Sequence, residues 1–361
     1  MEYTKGQRLA MKEIIEWLGT DSKVFRLAGL SGTGKTFVLS EIYRLFNKPE
    51  DIVFLAPTGR AAANLSMRGV PAVTIHSFIY NLDQTSQAKL KFDLKESIPE
   101  NVSIIVVDES SMLTIDMYND ILSFGKKTIF CGDPGQLPAI GVDSHCLRNA
   151  DITLTEIVRQ AKDNPIVSLA VGLYNGERLK YGTFGGSVAI GSRDGVGIGT
   201  MLRADQIIVA TNQERQRINK LIRDYHKRFD PIPEPGDKLV CTRNIWNTTV
   251  GGVPIINGMI GYCEKIRMRS LDTALIQFRP EHTTESVVLE MDCLPFIGRH
   301  RKVMTDLAQF DFGNAITLHK AQGSEWNNVL VVRDTVLPKV PEKVWLYTAM
   351  TRAKEKLVLA V

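Results

Sequence analysis

Residues 27–39 read LAGLSGTGKTFVL. Within that run Gly29, four further residues and Gly34-Lys35-Thr36 satisfy the spacing G-x-x-x-x-G-K-[ST] of a phosphate-binding loop. Glycine lets the backbone curl so that successive N–H groups point inward, and a following helix adds the positive end of its dipole. Ser31, Gly32 and Thr33 complete the loop. Lys35 has the reach for β- and γ-phosphates, and the Thr36 hydroxyl is a ligand for Mg²⁺. The setting agrees with the motif: residues 24–27 have a strand pattern before the loop, and residues 37–45 a helical one behind it. The stretch therefore predicts a nucleoside triphosphate site on a strand–loop–helix unit. It leaves open which reaction that site serves.

A second signal lies at Ile104-Ile105-Val106-Val107-Asp108-Glu109, a continuous apolar strand pattern closed by two carboxylates. At the C-terminal edge of a parallel strand, Asp108 would face the phosphate loop and hold Mg²⁺, directly or through water. Glu109 would then orient and deprotonate an attacking water, which favours hydrolysis over transfer to a small acceptor. GDPGQLP (132–138) follows the next strand pattern. Its Gln136 amide either hydrogen-bonds a γ-phosphate or faces solvent in a turn built by glycine and proline. Arg159 and Arg352 match the charge that develops on a phosphoryl group, or are surface helix arginines among the 44 Lys and Arg of the chain. Gln7 also has two competing uses. With Thr4 it fits a capping box, and its amide can read an adenine edge.

The bulk properties are those of an ordinary globular protein: 361 residues, 44% hydrophobic and 23% charged. That length accommodates two or three domains. The formal net charge of +4 permits a polyanionic partner. Five cysteines are widely spaced with no C-x-x-C pair, which disfavours a disulfide framework or a zinc knuckle and suits a reducing compartment. No apolar run approaches bilayer-spanning length, and MEYTKGQRLA at the N-terminus lacks the apolar core of a signal peptide.

Along the chain, strand patterns at 24–27, 52–56, 104–107 and 128–131 alternate with helical stretches, the signature of a doubly wound α/β domain. Residues 79–101 interrupt it with a period-two run (89–95) behind a polar stretch (83–87), predicting a two-stranded hairpin in which Phe92 packs inward. The glycine-rich residues 176–199 read as a loop. A strand at 206–210 and a polar helix from 212 to 229 restart the α/β pattern. Short strands between 236 and 312 then predict a small barrel-like insertion, with Trp246 in its core. The α/β character returns at 315–317 and runs to the end.

Taken in order, TKGQ (4–7), GLSGTGKT (29–36), APTGRAA (56–62), TIHSF (74–78), VVDES (106–110), GDPGQLPAI (132–140), LTEIVRQ (154–160), AITLHKAQGSEW (315–326) and LYTAMTRAKEKL (346–357) resemble a known set. Over nearly the whole chain the sequence resembles superfamily 1 DNA helicases of the phage Dda and bacterial RecD group. The resemblance implies an α/β fold of two RecA-like P-loop motor domains, with a small β-hairpin insertion and an SH3-like β-barrel insertion. It assigns 1–155 to the first motor domain, with the hairpin pin at 79–101. It assigns 156–235 and 313–361 to the second, and 236–312 to the SH3-like insertion.

The resemblance also implies roles. Gln7 becomes an adenine contact, Gln136 a γ-phosphate sensor, and Arg159 and Arg352 arginine fingers, while Gly323 and Glu325 lie in a motif that closes on the nucleotide. Pro57, Thr58, Thr74, His76, Thr317, His319 and Lys320 match positions that touch DNA, where hydroxyls, amides and a few cations suit tracking without regard to base sequence. One departure is Ala321 in HKAQG, where relatives often carry Ser. ATP and Mg²⁺ are the implied cofactors. Single-stranded and forked DNA are the implied partners, with a single-strand-binding or replisome protein as a further one and no membrane. A monomer is expected because one chain carries both halves of the cleft, located in the cytoplasm, or in the host's if a bacteriophage encodes it. The implied activity is DNA-stimulated ATP hydrolysis driving 5′-to-3′ translocation and unwinding in replication, recombination or repair. Two alternatives stay open: a branch-migration or protein-displacing motor, and a P-loop phosphotransferase.

Overall fold

Apolar, β-branched runs closed by turn and capping residues build the first sheet. In the computed structural model, which describes residues 3–46, 49–83, 91–139, 141, 143–158, 163–299, 306–335 and 340–361, six strands lie in the order Ala72–Thr74, Ile52–Ala56, Ile104–Val107, Lys127–Gly132, Val24–Gly29, Ile152–Leu154. All five pairings are parallel. Ile104–Val107 is buried at every position, as a strand covered on both faces must be. Helices Lys5–Leu18 and Lys35–Leu45 cover one face through Ala10, Ile14, Val38 and Ile42. Ile75, Ile79, Leu113 and Ile121 cover the other.

A second six-stranded sheet has the order Ala315–Thr317, Gln206–Val209, Trp326–Val332, Ala353–Ala360, Val188–Gly191, Gly182–Phe184. The first five strands are parallel and the last is antiparallel. The final two correct the reading of 176–199 as a loop. Gly185 and Gly186, at φ +54° and +70°, make the tight reversal, and Val188 and Ile190 enter the core. Two inward residues are too few for alternation to stand out against the glycines around them. The polar helix ends at Tyr225 rather than 229, with Lys227 at φ +57° directing the chain away.

Between strands of this second sheet the chain leaves to build five antiparallel strands, in the order Val287–Asp292, Thr273–Pro280, Ile260–Met268, Lys238–Cys241, Phe310–Phe312. Their own core includes Leu239, Cys263, Ile276, Phe278 and Met291. A hairpin, Ile245–Val250 with Val253–Ile255, adds to it around Gly251-Gly252. The Trp246 side chain lies outside what is described. In the first half, Tyr80–Asp83 pairs antiparallel with Lys91–Leu94; of the tip expected at 83–87, Asp83 belongs to the first strand and the rest lies outside the described residues. Phe92 is only partly packed: it stays 37% exposed, with its ring 5.1 Å from that of His76.

Candidate nucleotide site and nucleic-acid face

The strand Val24–Gly29 ends in the phosphate-loop sequence and the helix Lys35–Leu45 begins directly after it. Gly32 and Gly34 adopt φ of +80° and +84°, conformations that cost little only for glycine. At Gly34 an added Cβ would lie 2.3 Å from Gln7 Nε2, and at Gly29 it would lie 2.6 Å from Thr33 Oγ1. The loop therefore closes tightly because it has no side chains at those points. Lys35 Nζ donates to the carbonyls of Gly29 (2.8 Å) and Leu30 (3.1 Å) and lies 4.0 Å from Asp133 Oδ2. The first N–H groups of the helix have no intrahelical acceptor and face the same opening.

Gln7 is buried and makes the capping box with Thr4. Its Oε1 accepts from the Thr4 N–H at 3.0 Å, while its Nε2 donates to the Thr33 carbonyl at 3.3 Å. The capping use is thus realised, and the same amide braces the phosphate loop from behind.

Asp108 and Glu109 follow the buried strand Ile104–Val107. Glu109 sits at φ 52°, a left-handed conformation that is strained for a side-chain-bearing residue, and its N–H donates to Asp108 Oδ1 at 2.9 Å. Burial raises Asp108 above the ordinary carboxylate range, against the Glu109 N–H and the Lys35 and Arg68 charges. Burial, then the adjacent Asp108 carboxylate, raises Glu109, with Arg352 and Lys35 opposing. Glu109 Oε2 and Gln136 Oε1 are buried without a hydrogen-bond partner. Two orphaned acceptors beside a phosphate loop fit a ligand and water that complete the site.

The opposite wall comes from the second sheet. Gly323 and Glu325 precede the strand Trp326–Val332, and Arg352 precedes Ala353–Ala360. Arg352 is buried and donates to the Thr348 carbonyl (3.1 Å), the Ser324 carbonyl (3.3 Å) and Thr351 Oγ1 (3.1 Å). A guanidinium has about five N–H donors, so these three bonds leave others free to face the cavity. Asn64 Nδ2 crosses the cleft to the Gly323 carbonyl at 3.0 Å. Gly323, at φ +72°, lies so close to Thr58 that a Cβ would come within 3.0 Å of its hydroxyl. A cavity of about 330 Å³ results, lined by Lys35, Thr36, Asp108, Glu109 and Gln136 on one side and Gly323, Glu325 and Arg352 on the other. The structure thus brings those residues together. Arg159 lies outside the described residues.

None of the seven residues expected to touch DNA lines that cavity; they lie at or just after the C-terminal ends of Ile52–Ala56, Ala72–Thr74 and Ala315–Thr317. Thr58 caps the helix Gly59–Met67, accepting from the Ala61 N–H at 3.2 Å, and follows Pro57 and the strand Ile52–Ala56. Thr74 ends Ala72–Thr74 and caps Ile75–Ile79. Thr317 ends Ala315–Thr317, and His319 and Lys320 occupy the short helix Leu318–Ala321. Burial lowers the affinity of His76, His319 and Lys320 for protons. Both imidazoles are therefore neutral at pH 7, offering hydrogen bonds rather than charge.

Several residues of the cavity were missed. Ala61, Asn64, Leu65 and Arg68 all line it, and their i, i+3, i+4, i+7 spacing puts them on one helical face. Ala61 and Leu65 alone read as an ordinary core contact, and Asn64 and Arg68 as solvated side chains of an amphipathic helix. Asp133 and Tyr347 lie inside GDPGQLPAI and LYTAMTRAKEKL, and only their distances reveal them. The Tyr347 hydroxyl donates to Asp133 Oδ2 at 2.7 Å and accepts from the Ser31 N–H at 2.8 Å.

Comparison with known proteins agrees with this geometry. An AAA domain family model matches residues 2–184, and a UvrD-like helicase C-terminal domain model matches residues 312–360. The ATP-dependent RecD2 DNA helicase of Deinococcus radiodurans is 27% identical over 92% of this chain and 46% of its own length. The RecBCD enzyme subunit RecD of Mycolicibacterium smegmatis is 22% identical over 92% of this chain and 67% of its own. The chain therefore spans less than half the length of its RecD2 relative. Among solved structures, the Pif1 helicase of Candida albicans superposes with a TM-score of 0.60 at 18% identity, covering 100% of this chain and 94% of the other. A Bacteroides Pif1 helicase in complex with ADP-AlF3 and ssDNA gives a TM-score of 0.59 at 16% identity, covering 100% and 93%. These likenesses give the two sheets the architecture of two RecA-like domains. With an AAA domain matched over half its length, RecD relatives along nearly all of it and a Pif1-like fold throughout, the chain belongs to the superfamily 1 helicases of the RecD, Pif1 and Dda group.

Proposed function

We propose that this chain is an ATP-driven motor that moves along single-stranded DNA and unwinds duplex, hydrolysing ATP to ADP and phosphate. The observation that carries this reading is the cavity between the two sheets, with the phosphate loop and two carboxylates on one wall and Arg352 on the other. A site assembled from two bodies changes when they move, so binding and hydrolysis are linked to opening and closing. Lys35 and the loop amides hold the phosphates, and Arg352 meets the charge that develops on the transferred group. Gln136 orients at the γ-phosphate, and Glu109, with an oxygen lacking a partner, takes the proton of the attacking water. Arg159 is assigned a second finger on the resemblance alone.

Thr36 and Asp108 would hold Mg²⁺. Among the described residues no three His, Cys, Asp or Glu side chains converge as a cage, which fits an ion that takes its remaining ligands from phosphate and water. Bound there, Mg²⁺ would neutralise charge on the phosphate oxygens.

DNA lies across the C-terminal strand ends, on Pro57, Thr58, Thr74, His76, Thr317, His319 and Lys320, with alternating grip as the cleft works. The strands Tyr80–Asp83 and Lys91–Leu94 serve as the pin at the fork, and the five antiparallel strands as an SH3-like insertion. The 5′-to-3′ polarity follows the family resemblance, as do the roles in replication, recombination or repair, the monomeric state and the cytoplasmic location. ATP hydrolysis measured with and without single-stranded DNA, and unwinding of forks bearing a 5′ or a 3′ tail, test the reading. Hydrolysis that is indifferent to DNA would sink it.

A further inference from the structure

Tyr347 comes from the second sheet's helix Glu342–Met350, yet its hydroxyl is spent on the first domain. The ring is completely buried, held between Gly135, where a Cβ would lie 2.9 Å from its Cε1, and Tyr174, whose ring is 5.6 Å away. From there the hydroxyl donates to Asp133 Oδ2 at 2.7 Å and accepts from the Ser31 N–H at 2.8 Å. Asp133 is itself fully buried. Its carboxylate also accepts from the Gly135 N–H at 2.9 Å and from Gln136 Nε2 at 3.4 Å, and lies 4.0 Å from Lys35 Nζ. One carboxylate thus joins a residue from across the cleft to the two side chains assigned to the phosphates. Next to it, Thr348 Oγ1 accepts from the Leu137 N–H at 2.8 Å and Gln322 Nε2 donates to the Leu137 carbonyl at 2.9 Å, so the turn at 133–137 is tied to the second domain at three points.

We propose that Tyr347 is a positioning residue whose hydroxyl transmits the placement of the second domain, through Asp133, to Lys35 and Gln136, and through the Ser31 amide to the phosphate loop. When the bodies separate, the hydroxyl withdraws. Asp133 then loses its cross-cleft donor, and the loop regains a free N–H at Ser31. Full alignment of Lys35 and Gln136 is reached only when the cleft is closed around Tyr347. This inference rests on the ATPase reading above for its kinetic consequence but not for its structural one.

The test uses the full chain with Tyr347→Phe, which removes the hydroxyl and keeps the ring. In the absence of nucleotide, hydrogen exchange should quicken about ten-fold or more at the Ser31 amide, because its acceptor is gone. With saturating single-stranded DNA, kcat for ATP should fall about ten-fold or more, as misplacement of reacting groups does. KM should stay within about three-fold, a split that general loss of stability would not produce. Asp133→Asn combined with Tyr347→Phe should be no slower than Asp133→Asn alone, because both changes interrupt one route. Unchanged exchange at Ser31, an unchanged kcat, or effects that multiply in the double variant would each overturn the proposal. If the wild-type chain hydrolyses no ATP, the ATPase reading fails, and the exchange comparison still decides whether Tyr347 holds the loop.

Discussion

The side-chain amide of Asn64 donates to the main-chain carbonyl of Gly323 at 3.0 Å, joining a helix of the first domain to the segment of the second that carries Glu325. Asn64→Ala removes that cross-cleft bond and one polar side chain from the cavity lining. A neutral hydrogen bond contributes about 1 kcal/mol, equivalent to roughly a five-fold shift between closed and open cleft. ATP should bind about that much more weakly in an equilibrium titration, with the melting temperature nearly unchanged.

Glu109→Gln should separate binding from chemistry. The amide keeps the size and strained backbone setting of Glu109 but cannot accept the water's proton. Loss of a general base costs about 10²–10⁴-fold in rate, so steady-state ATPase should collapse while a fluorescent ATP analogue still binds. Lys35→Ala should differ by weakening nucleotide binding as well. Equal hydrolysis by Glu109→Gln and wild type would remove Glu109 from the mechanism.

Arg352→Lys tests whether the fork geometry matters. The guanidinium makes three hydrogen bonds within its own domain while facing the cavity, and an ammonium on a flexible stem cannot reproduce that fork. An arginine finger is worth about 10³-fold or more in kcat. The lysine variant should therefore lose most of its DNA-stimulated turnover while its circular dichroism stays native.

On the nucleic-acid face the charge and the histidines should behave differently. Replacing Lys320 by Ala should lower affinity for single-stranded DNA and reduce the slope of log K against log[salt] by about 0.7. His76→Asn and His319→Asn should weaken binding without changing that slope, because burial keeps both imidazoles neutral at pH 7. Filter binding across a salt series distinguishes the two behaviours.

Three histidines, His76, His282 and His319, are held by burial below the ordinary value of 6.5. As pH falls through 6.5 the unfolded chain takes up protons at these sites before the folded one does. The unfolded state then binds more protons, so stability rises with pH across this window and is lost on acidification. Glu109, raised to about 7 by burial, takes up its proton in the folded state first and opposes this trend. The histidine contribution is therefore read by difference: between pH 7 and pH 5 the denaturant midpoint of a His76→Asn/His319→Asn variant should drop less, or rise more, than that of the wild type.

The phosphate loop was legible in one line of sequence because its chemistry is local. Backbone N–H groups, two left-handed glycines and the following helix are all supplied within a dozen residues, so spacing alone specifies them. Buried parallel strands were legible for a related reason: a run such as IIVV at 104–107 can be satisfied only by cover on both faces. The hairpin strands Gly182–Phe184 and Val188–Gly191 were not, since a strand that contributes two core residues leaves almost no periodicity. Gln7 shows how one residue can satisfy a local rule and a distant one together, capping its own helix while bracing Thr33.

What the sequence by itself determined is therefore the phosphate loop, the acidic strand end and the alternation that builds two α/β sheets, each set by groups close along the chain. Which side chains meet across the cleft was decided only by the tertiary structure. Asn64 to Gly323, Tyr347 to Asp133, and Arg352 opposite Glu109 are separated by hundreds of residues, and no local propensity encodes such distances. They are set by how two independently cored sheets pack against each other, which places one sheet's C-terminal strand ends against the other's N-terminal ones.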